Sequence, residues 1–210
     1  MLQYFVKYHP RLLSALLEHL EIVLLTLAIS IALAGVITLL IYRREDISNT
    51  VVQLFGAVYS IPSLALFAIL IPITGLGERT AILVLVVYNQ FLLIRNFLAG
   101  LDSVDKSVIE AAYGMGMSNA QVLTKIQIPL ASPLIIAGIR LAIISTIGIA
   151  TIAATINAGG LGNLLFDGMR TMNTYKILWG AIFCAVIALL ADGVLKRIEV
   201  QVQKKAGDLN

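Results

Sequence analysis

The most informative polar side chain of this sequence is the carboxylate of Glu110, the first residue of the segment Glu-Ala-Ala-Tyr-Gly-Met-Gly that ends at Gly116. After nine further residues comes a second segment, Ile-Gln-Ile-Pro, which ends at Pro129. Small residues beside one carboxylate can admit a neighbouring surface, and the two glycines can break a helix. The chemistry that this spacing indicates is contact and movement, since it contains no nucleophile with an acid–base partner.

Other side chains that often carry chemistry are few and poorly placed for it. The two histidines, His9 and His19, lack the spacing of metal ligands. The single cysteine, Cys184, lies inside an apolar run, so a disulfide within the chain is excluded. The glycine turn that ends at Gly162 has no Lys-Ser or Lys-Thr after it, which argues against a phosphate-binding loop. We expect no catalytic residue, metal site or cofactor in this chain.

The composition indicates that a lipid bilayer surrounds most of the chain. Hydrophobic residues make up 59% of the 210 residues, charged residues only 13%, and the mean hydropathy is +0.94. One soluble core could not hide that much apolar surface. The net charge of +3 does not indicate nucleic-acid binding, because the basic residues gather at the ends of apolar runs.

The elements that must position Glu110 are membrane-spanning helices, each of which needs about 20 apolar residues. The sequence predicts an all-α, polytopic membrane protein with about five such helices. They cover residues 22–42, 47–77, 80–98, 133–157 and 175–194. Residues 1–21 are too polar to span and are predicted to form a surface helix. The transmembrane domain is then 22–196, and residues 197–210 form a cytoplasmic tail.

The distribution of Lys and Arg predicts that the N-terminus lies outside and the C-terminus inside. Nine basic residues then fall on the cytoplasmic side and five outside. The nine are Arg43, Arg44, Arg95, Lys106, Lys125, Lys196, Arg197, Lys204 and Lys205, and the five are Lys7, Arg11, Arg79, Arg170 and Lys176. The Glu110 segment therefore faces the cytoplasm.

The polar segment 101–131 that contains Glu110 is predicted to form two short helices joined as an elbow. Ser107 and Glu110 have the spacing of a capping box, and Ser118 and Gln121 repeat it. Gly114 and Gly116 break the helix between them, and Pro129 and Pro133 restrict the chain before the fourth span. An elbow held between two spans could transmit a push, whereas a floppy loop could not.

The fourth span carries small residues on one helical face. Members of this face recur every three or four residues: Gly138, Ala142, Ser145, Gly148, Thr151, Thr155 and Gly159. Ser145, Gly148, Thr151 and Thr155 are predicted to line a pathway or a subunit interface, and internal packing is the alternative.

Three other intramembrane or span-end positions invite a specific expectation. Asn89, in the third span, bonds to another helix or lines the pathway. Arg140 can extend to the cytoplasmic boundary, and Asp192 is placed to pair with Lys196.

The turn that follows the fourth span contains Gly159, Gly160 and Gly162. The predicted orientation places it on the outer side. It could help to close an outer gate, and simple termination of the helix is the alternative.

These motifs resemble those of a known family. Glu110-Ala-Ala, Gly116 and Ile126-x-Ile128-Pro129 resemble the EAA loop of type I ABC importer permeases, whose usual ending has leucine where Ile128 stands. Further segments are similar to osmoprotectant permeases, the importers of glycine betaine, carnitine and choline. These segments are Tyr59-Ser-Ile-Pro-Ser-Leu64, Ile135-Ile-Ala-Gly-Ile-Arg-Leu141 and Ala158-Gly-Gly-Leu-Gly162.

The resemblance implies that the chain is a non-catalytic translocation subunit in the bacterial cytoplasmic membrane. It implies three partners: a dimer of ATPase subunits that binds ATP and Mg, a second permease copy or homologue, and an extracytoplasmic substrate-binding protein. The residues implied in ATPase coupling are Glu110, Ala111, Ala112, Gly116, Ile126 and Pro129. Two alternatives stay open: an importer of another small solute such as ergothioneine, and a membrane carrier or scaffold that works without an ATPase.

Overall fold

The computed structural model describes residues 1–207, with the side chains of residues 1–204, and these residues form an assembly of helices. The helices are α1 (Leu2–Ile41), α2 (Glu45–Tyr59), α3 (Ser63–Thr74), α4 (Glu78–Asp102), α5 (Lys106–Gly114), α6 (Asn119–Val122), α7 (Ile128–Ile152), α8 (Leu161–Arg170) and α9 (Thr174–Gly207). Four helical runs are long and apolar enough to span a membrane, and α2 with α3 gives a fifth if the bent pair is one span. The prediction of an all-α protein with about five spans is confirmed.

Helix α4 is the centre of the assembly. It packs against α1, α2, α3 and α7, while α9 packs mainly against α7 and α8. In the most apolar part of each helix, 61% of the residues of α4 are buried but only 6% of those of α9. The surface of α9 is therefore left for lipid or for another protein.

Helix α1 is continuous through the predicted boundary between residues 21 and 22. Pro10 lacks an N–H for the carbonyl of Val6, and Nδ1 of His9 lies 3.0 Å from that oxygen instead. One face of the N-terminal part is buried, since Leu12 and Ala15 pack against Leu161 of α8. The predicted surface segment is thus helical, but it forms a single helix with the first span. The predicted tail is likewise a continuation of α9 up to Gly207, and residues 208–210 lie outside the described part.

The predicted second span, 47–77, is broken in the middle. Helices α2 and α3 meet at an angle of 94°, with Ser60, Ile61 and Pro62 between them. Pro62 has a ψ of 134°, and it precedes the first residue of α3. Because proline disfavours helical backbone at the residue before it, the chain leaves the helix at this point.

The fourth span begins earlier than predicted. Residues Asn119–Ile156 form one helical run, so the helix that contains the fourth span starts well before the predicted residue 133. Pro133 cannot donate to the carbonyl of Pro129, and the hydroxyl of Ser132 donates to that oxygen instead. Pro129 also lacks a backbone N–H. A π-helical turn at Leu123–Gln127, wider than an α-helical turn, precedes this proline and accommodates the missing hydrogen bond.

A buried polar cluster joins three of the spanning helices. The Asn89 side-chain amide of α4 donates to the hydroxyls of Thr146 on α7, at 2.9 Å, and of Ser30 on α1, at 3.3 Å. All three side chains are at most 2% exposed. Of the two roles considered for Asn89, interhelical bonding is the one that this structure displays.

We predict that this cluster gives α4 and α7 a measurable coupling. Asn89→Ala combined with Thr146→Ala in a double-mutant cycle should show a coupling free energy of about 0.6 kcal/mol and at most about 1.7 kcal/mol, the average and the maximum for interhelical hydrogen bonds in a membrane protein. Unfolding in mixed detergent micelles measures it. Thr151→Ala is the matched control, because the Thr151 hydroxyl bonds to Gly148 of its own helix. A coupling no larger than that of the control pair would contradict the assignment.

The orientation stays a prediction, and two exposed methionines test it. Met172, between α8 and α9, is 88% exposed, and Met115, beside α5, is 75% exposed. In a Cys184→Ser background, Met172→Cys should react with a membrane-impermeant maleimide on intact cells, whereas Met115→Cys should react only after permeabilisation. The reverse labelling pattern would contradict the N-out, C-in arrangement.

Candidate functional site

The elbow, defined here as residues 105–122, contains α5, a tight turn and α6. Helix α5 begins after Asp105, whose carboxylate accepts a hydrogen bond from the backbone N–H of Ser107 at 2.8 Å. This bond holds the pKa of the Asp105 carboxyl below its usual value. The predicted capping box of Ser107 and Glu110 is therefore wrong, because Asp105 caps the helix two residues earlier.

Two local hydrogen-bond motifs fix the bend of the elbow. At the end of α5 the N–H of Gly116 donates to the carbonyl of Tyr113, and that of Met117 donates to Ala112. This is a Schellman motif, and Gly116 has the φ of +82° that it requires. The predicted capping box of Ser118 and Gln121 is confirmed directly afterwards.

The six predicted coupling residues lie on or beside the elbow but have different surroundings. Glu110, Ala111 and Gly116 are exposed, whereas Ile126 and Pro129 are half-buried. Ala112 is only 1% exposed, and Val122 of α6 is fully buried. The methyl group of Ala112 thus faces the interior of the chain, while Glu110 and Ala111 form the outward surface.

A cavity of about 740 Å³ separates the elbow from the inner ends of the spans. Its lining includes charged residues from the α1–α2 connection, the end of α4 and the start of α5. They are Arg43, Glu45, Arg95, Asp102 and Lys106. The face of α5 that carries Lys106 and Ile109 therefore borders a space with both polar and apolar walls.

The small residues predicted to share one face of α7 differ in their exposure. Gly138 and Ala142 are buried against neighbouring helices, whereas Ser145 and Thr151 are half-buried and Gly148 and Thr155 are exposed. A methyl group added at Gly148 would meet no atom within 4 Å. This outer half of the face is available to a pathway or a second subunit, and that role stays a prediction. Asn89 is not part of this exposed face.

The glycine turn after α7 is shaped by backbone requirements. Gly159 and Gly160 have φ values of +92° and +74°. A Cβ at Gly162 would lie 2.0 Å from the carbonyl oxygen of Thr151. The turn is held to α1, since the Gly160 N–H donates to the Glu18 carboxylate at 3.1 Å. These constraints account for each glycine, and the proposed gate stays a prediction.

A cluster of charges also ties α1 to α8 and α9. Asp167 accepts hydrogen bonds from Lys176 at 2.6 Å, from Arg170 at 3.1 Å and from Arg11 at 3.2 Å. The bond from Lys176, followed by that from Arg170, lowers the pKa of the Asp167 carboxyl. Because three cations surround one carboxylate, this region of the surface stays positively charged.

A further ion pair was not predictable from local sequence. Arg140 of α7 lies 3.7 Å from a carboxylate oxygen of Asp192 and 3.5 Å from one of Glu199, both on α9. The expected pairing of Asp192 with Lys196 is therefore wrong, because a cation from another helix lies within reach. Among the described residues no group of three His, Cys, Asp or Glu side chains could hold a metal ion.

A chain of a solved ABC transporter shares this fold. A chain in an inward-facing structure of the MetNI methionine ABC transporter superposes with a TM-score of 0.83, covering 91% of this chain and 95% of that chain. The two sequences are 21% identical, so the likeness concerns the fold alone.

Sequence relatives are permeases of bacterial transport systems. The carnitine transport permease protein OpuCB of Listeria monocytogenes is 36% identical over 90% of this chain and 87% of the relative. The glycine betaine/carnitine/choline transport system permease protein OpuCB of Bacillus subtilis is 35% identical over the same shares, 90% and 87%. The ergothioneine transport permease/ergothioneine binding protein EgtU of Helicobacter pylori is 40% identical over 64% of this chain and 24% of the relative.

Residues 25–205 match the family of binding-protein-dependent transport system inner membrane components, and this chain belongs to that family. It is a multi-pass permease of the bacterial cytoplasmic membrane.

The Schellman turn generates a prediction with a matched control. Gly116→Val should disrupt the elbow, because a β-branched residue at positive φ costs at least about 1–2 kcal/mol. Gly114→Val should be tolerated, since a Cβ at Gly114 would meet nothing within 4 Å and its backbone is helical. Hydrogen exchange of the elbow amides measures the disruption, and membrane abundance should be unchanged in both variants. Equal exchange in the two variants would contradict the role of Gly116.

Proposed function

We propose that this chain is the non-catalytic translocation subunit of an ABC importer for quaternary-ammonium osmoprotectants such as glycine betaine, carnitine and choline. The observation that carries the importer assignment is the elbow: a capped helix with an outward carboxylate, fixed by a Schellman turn and joined directly to a spanning helix. The solute class is supported by the names of relatives that align along most of the chain.

In this proposal the elbow docks into a cleft of a partner ATPase. Glu110 and Ala111 provide the contact surface, and Ala112 with Gly116 holds the shape of the elbow. Two ATPase subunits bind ATP and Mg, and two permease copies or homologues form the pathway. The exposed part of the α7 face, with Gly148 and Thr155, is the proposed contribution of this chain to the pathway or to the interface.

Docking is tested at Glu110, the charged residue of the proposed contact surface. Glu110→Lys should abolish copurification with the ATPase and solute uptake, because the reversed charge meets the same cleft. Glu110→Gln should retain more of both, since it keeps the size and a hydrogen-bonding group. Position 110 lies outside the bilayer, so the membrane abundance of both variants should not change. Normal uptake by Glu110→Lys would contradict the proposed docking surface.

The solute is tested in proteoliposomes that contain the complete importer. Uptake of labelled glycine betaine, carnitine or choline is expected, and the binding protein should set the affinity. The permease alone should bind these solutes only weakly, with a Kd of about 1 mM or higher. Micromolar calorimetric binding to the permease alone would contradict this division of roles.

A second candidate is import of ergothioneine, which is favoured by the match to the ergothioneine permease and binding protein. Uptake of ergothioneine in place of the three osmoprotectants would select it and leave the importer assignment unchanged. An ATPase-independent carrier or scaffold would leave the elbow without a partner. Recovery of the purified chain with no nucleotide-binding subunit would favour that alternative.

A further inference from the structure

Three aromatic rings meet where α2 breaks from α3. The Tyr59 ring centroid lies 5.1 Å from that of Phe91 and 5.5 Å from that of Tyr88, which it meets edge-on at 82°. Gly56 allows this approach, because a Cβ there would lie 3.1 Å from the Phe91 ring. We call Tyr59, Tyr88 and Phe91 the break cluster.

The three rings have different degrees of access. Tyr88 is 3% exposed, and its hydroxyl donates to the carbonyl of Ile61 in the break. Tyr88 therefore holds the backbone of the break in place. Tyr59 and Phe91 are half-buried, and Ser60 beside them is exposed, so parts of these two rings can be reached from outside the chain.

The break cluster lies near the middle of the spanning region. Phe91 precedes Asp102, the last residue of α4, by eleven residues, which corresponds to about 16 Å of helical rise. The hydrocarbon core is about 30 Å thick. Helix α2 ends at Tyr59, so the negative end of its dipole lies at the break, where the carbonyls of Gly56 and Val58 accept hydrogen bonds from the N–H groups of Ser60 and Ile61.

Aromatic faces attract a cation that cannot donate hydrogen bonds, because a ring face offers charge attraction without needing a strong acceptor. A quaternary ammonium group is such a cation, and it binds to aromatic faces by cation–π attraction. The Arg95 guanidinium carbon lies 5.8 Å from the Phe91 ring centroid, so a solute cation at this ring competes with Arg95. Two rings without a closed cage would attract the cation without trapping it.

We infer that Tyr59 and Phe91 form a transient site for the quaternary ammonium group of the solute, midway across the membrane. The inference rests on the proposed function and adds a position at which the permease itself recognises the charge of the solute. Tyr88 and Gly56 are positioning residues for this site. Because the site is weak and internal, it acts on the rate of passage and leaves the affinity of uptake to the binding protein.

The test uses the complete importer in proteoliposomes. Tyr59→Leu should lower the maximal rate of glycine betaine uptake about three- to tenfold, the equivalent of one lost cation–π contact, with an unchanged KM. Tyr59→Phe keeps the ring and should retain the rate within about twofold. An unchanged rate in Tyr59→Leu would overturn the site.

A shape-preserving series separates charge recognition from packing. Phenylalanines with increasing numbers of fluorine atoms, placed at position 59, weaken cation–π attraction while hardly changing the shape of the ring. The maximal rate should fall stepwise along this series. Equal rates throughout would overturn the site even if Tyr59→Leu is impaired, because the loss in that variant would then reflect packing.

Arg95→Gln provides the control for Phe91. If Phe91 serves only to hold Arg95, then Phe91→Leu and Arg95→Gln will lower the rate equally, which overturns the two-ring site. We expect Phe91→Leu to be slow and Arg95→Gln to be within about twofold of the unchanged importer. A wild-type importer that carries only solutes without a quaternary ammonium group would refute the proposed function and this site together. If the wild-type importer carries quaternary-ammonium solutes and Tyr59→Leu leaves their uptake rate unchanged, the site alone is refuted.

Discussion

Helices that share a lipid environment gain no hydrophobic free energy from meeting, so their arrangement depends on close packing and on polar contacts. In this permease the close packing and the polar contacts both involve α4. Asn89 bonds to α1 and α7 at once, and a Cβ at Gly138 of α7 would lie 2.6 Å from the side chain of Asn96. The amide cluster sets which faces of the three helices meet, and the glycine sets how closely α7 approaches α4.

The site depends on this central packing. The elbow leaves the end of α4 and returns as the start of the helical run that contains α7, so the α4–α7 contact determines where both ends of the elbow lie. At Gly100, a Cβ would lie 3.0 Å from the carbonyl oxygen of Ala131, so the two helices are also in close contact near the elbow. Within the elbow the orientation of Glu110 then follows from local hydrogen bonds. The Glu110 carboxylate thus has a defined position, although no hydrogen bond or ion pair among the described side chains involves it.

The parts of this structure that could be predicted from sequence are those with local causes. The apolar runs, the glycine break at Gly116 and the capping box at Ser118 depend on residues close in sequence, and the structure contains all of them. The start of the fourth span was missed because the Ser132 hydroxyl replaces the donor that Pro133 lacks. The cap of α5 was missed because Asp105 competes with Ser107 for the same role.

Contacts between distant residues were the least predictable. The partner of Asp192 is Arg140, on another helix, and nothing in the spacing along α9 indicates it. The buried position of Ala112 also depends on the packing of α5 beside α6, which follows from the bend and not from the sequence of either helix alone. The predicted roles of the exposed residues on α7 and in the glycine turn depend on partners outside the chain.

The uninterrupted run from Asn119 to Ile156 gives the protein a mechanical property. At the α-helical rise its 38 residues correspond to about 57 Å, and the run, which includes the π-helical turn near the elbow and a 3₁₀ turn at its end, reaches from the elbow to the glycine turn. A rigid rod pivoted near the elbow and tilted by about 5° would move its far end by about 5 Å, roughly one helical turn. Small rotations imposed at the elbow are thereby amplified, and the hydrogen bond between Glu18 and Gly160 is a contact at which such a displacement would meet resistance.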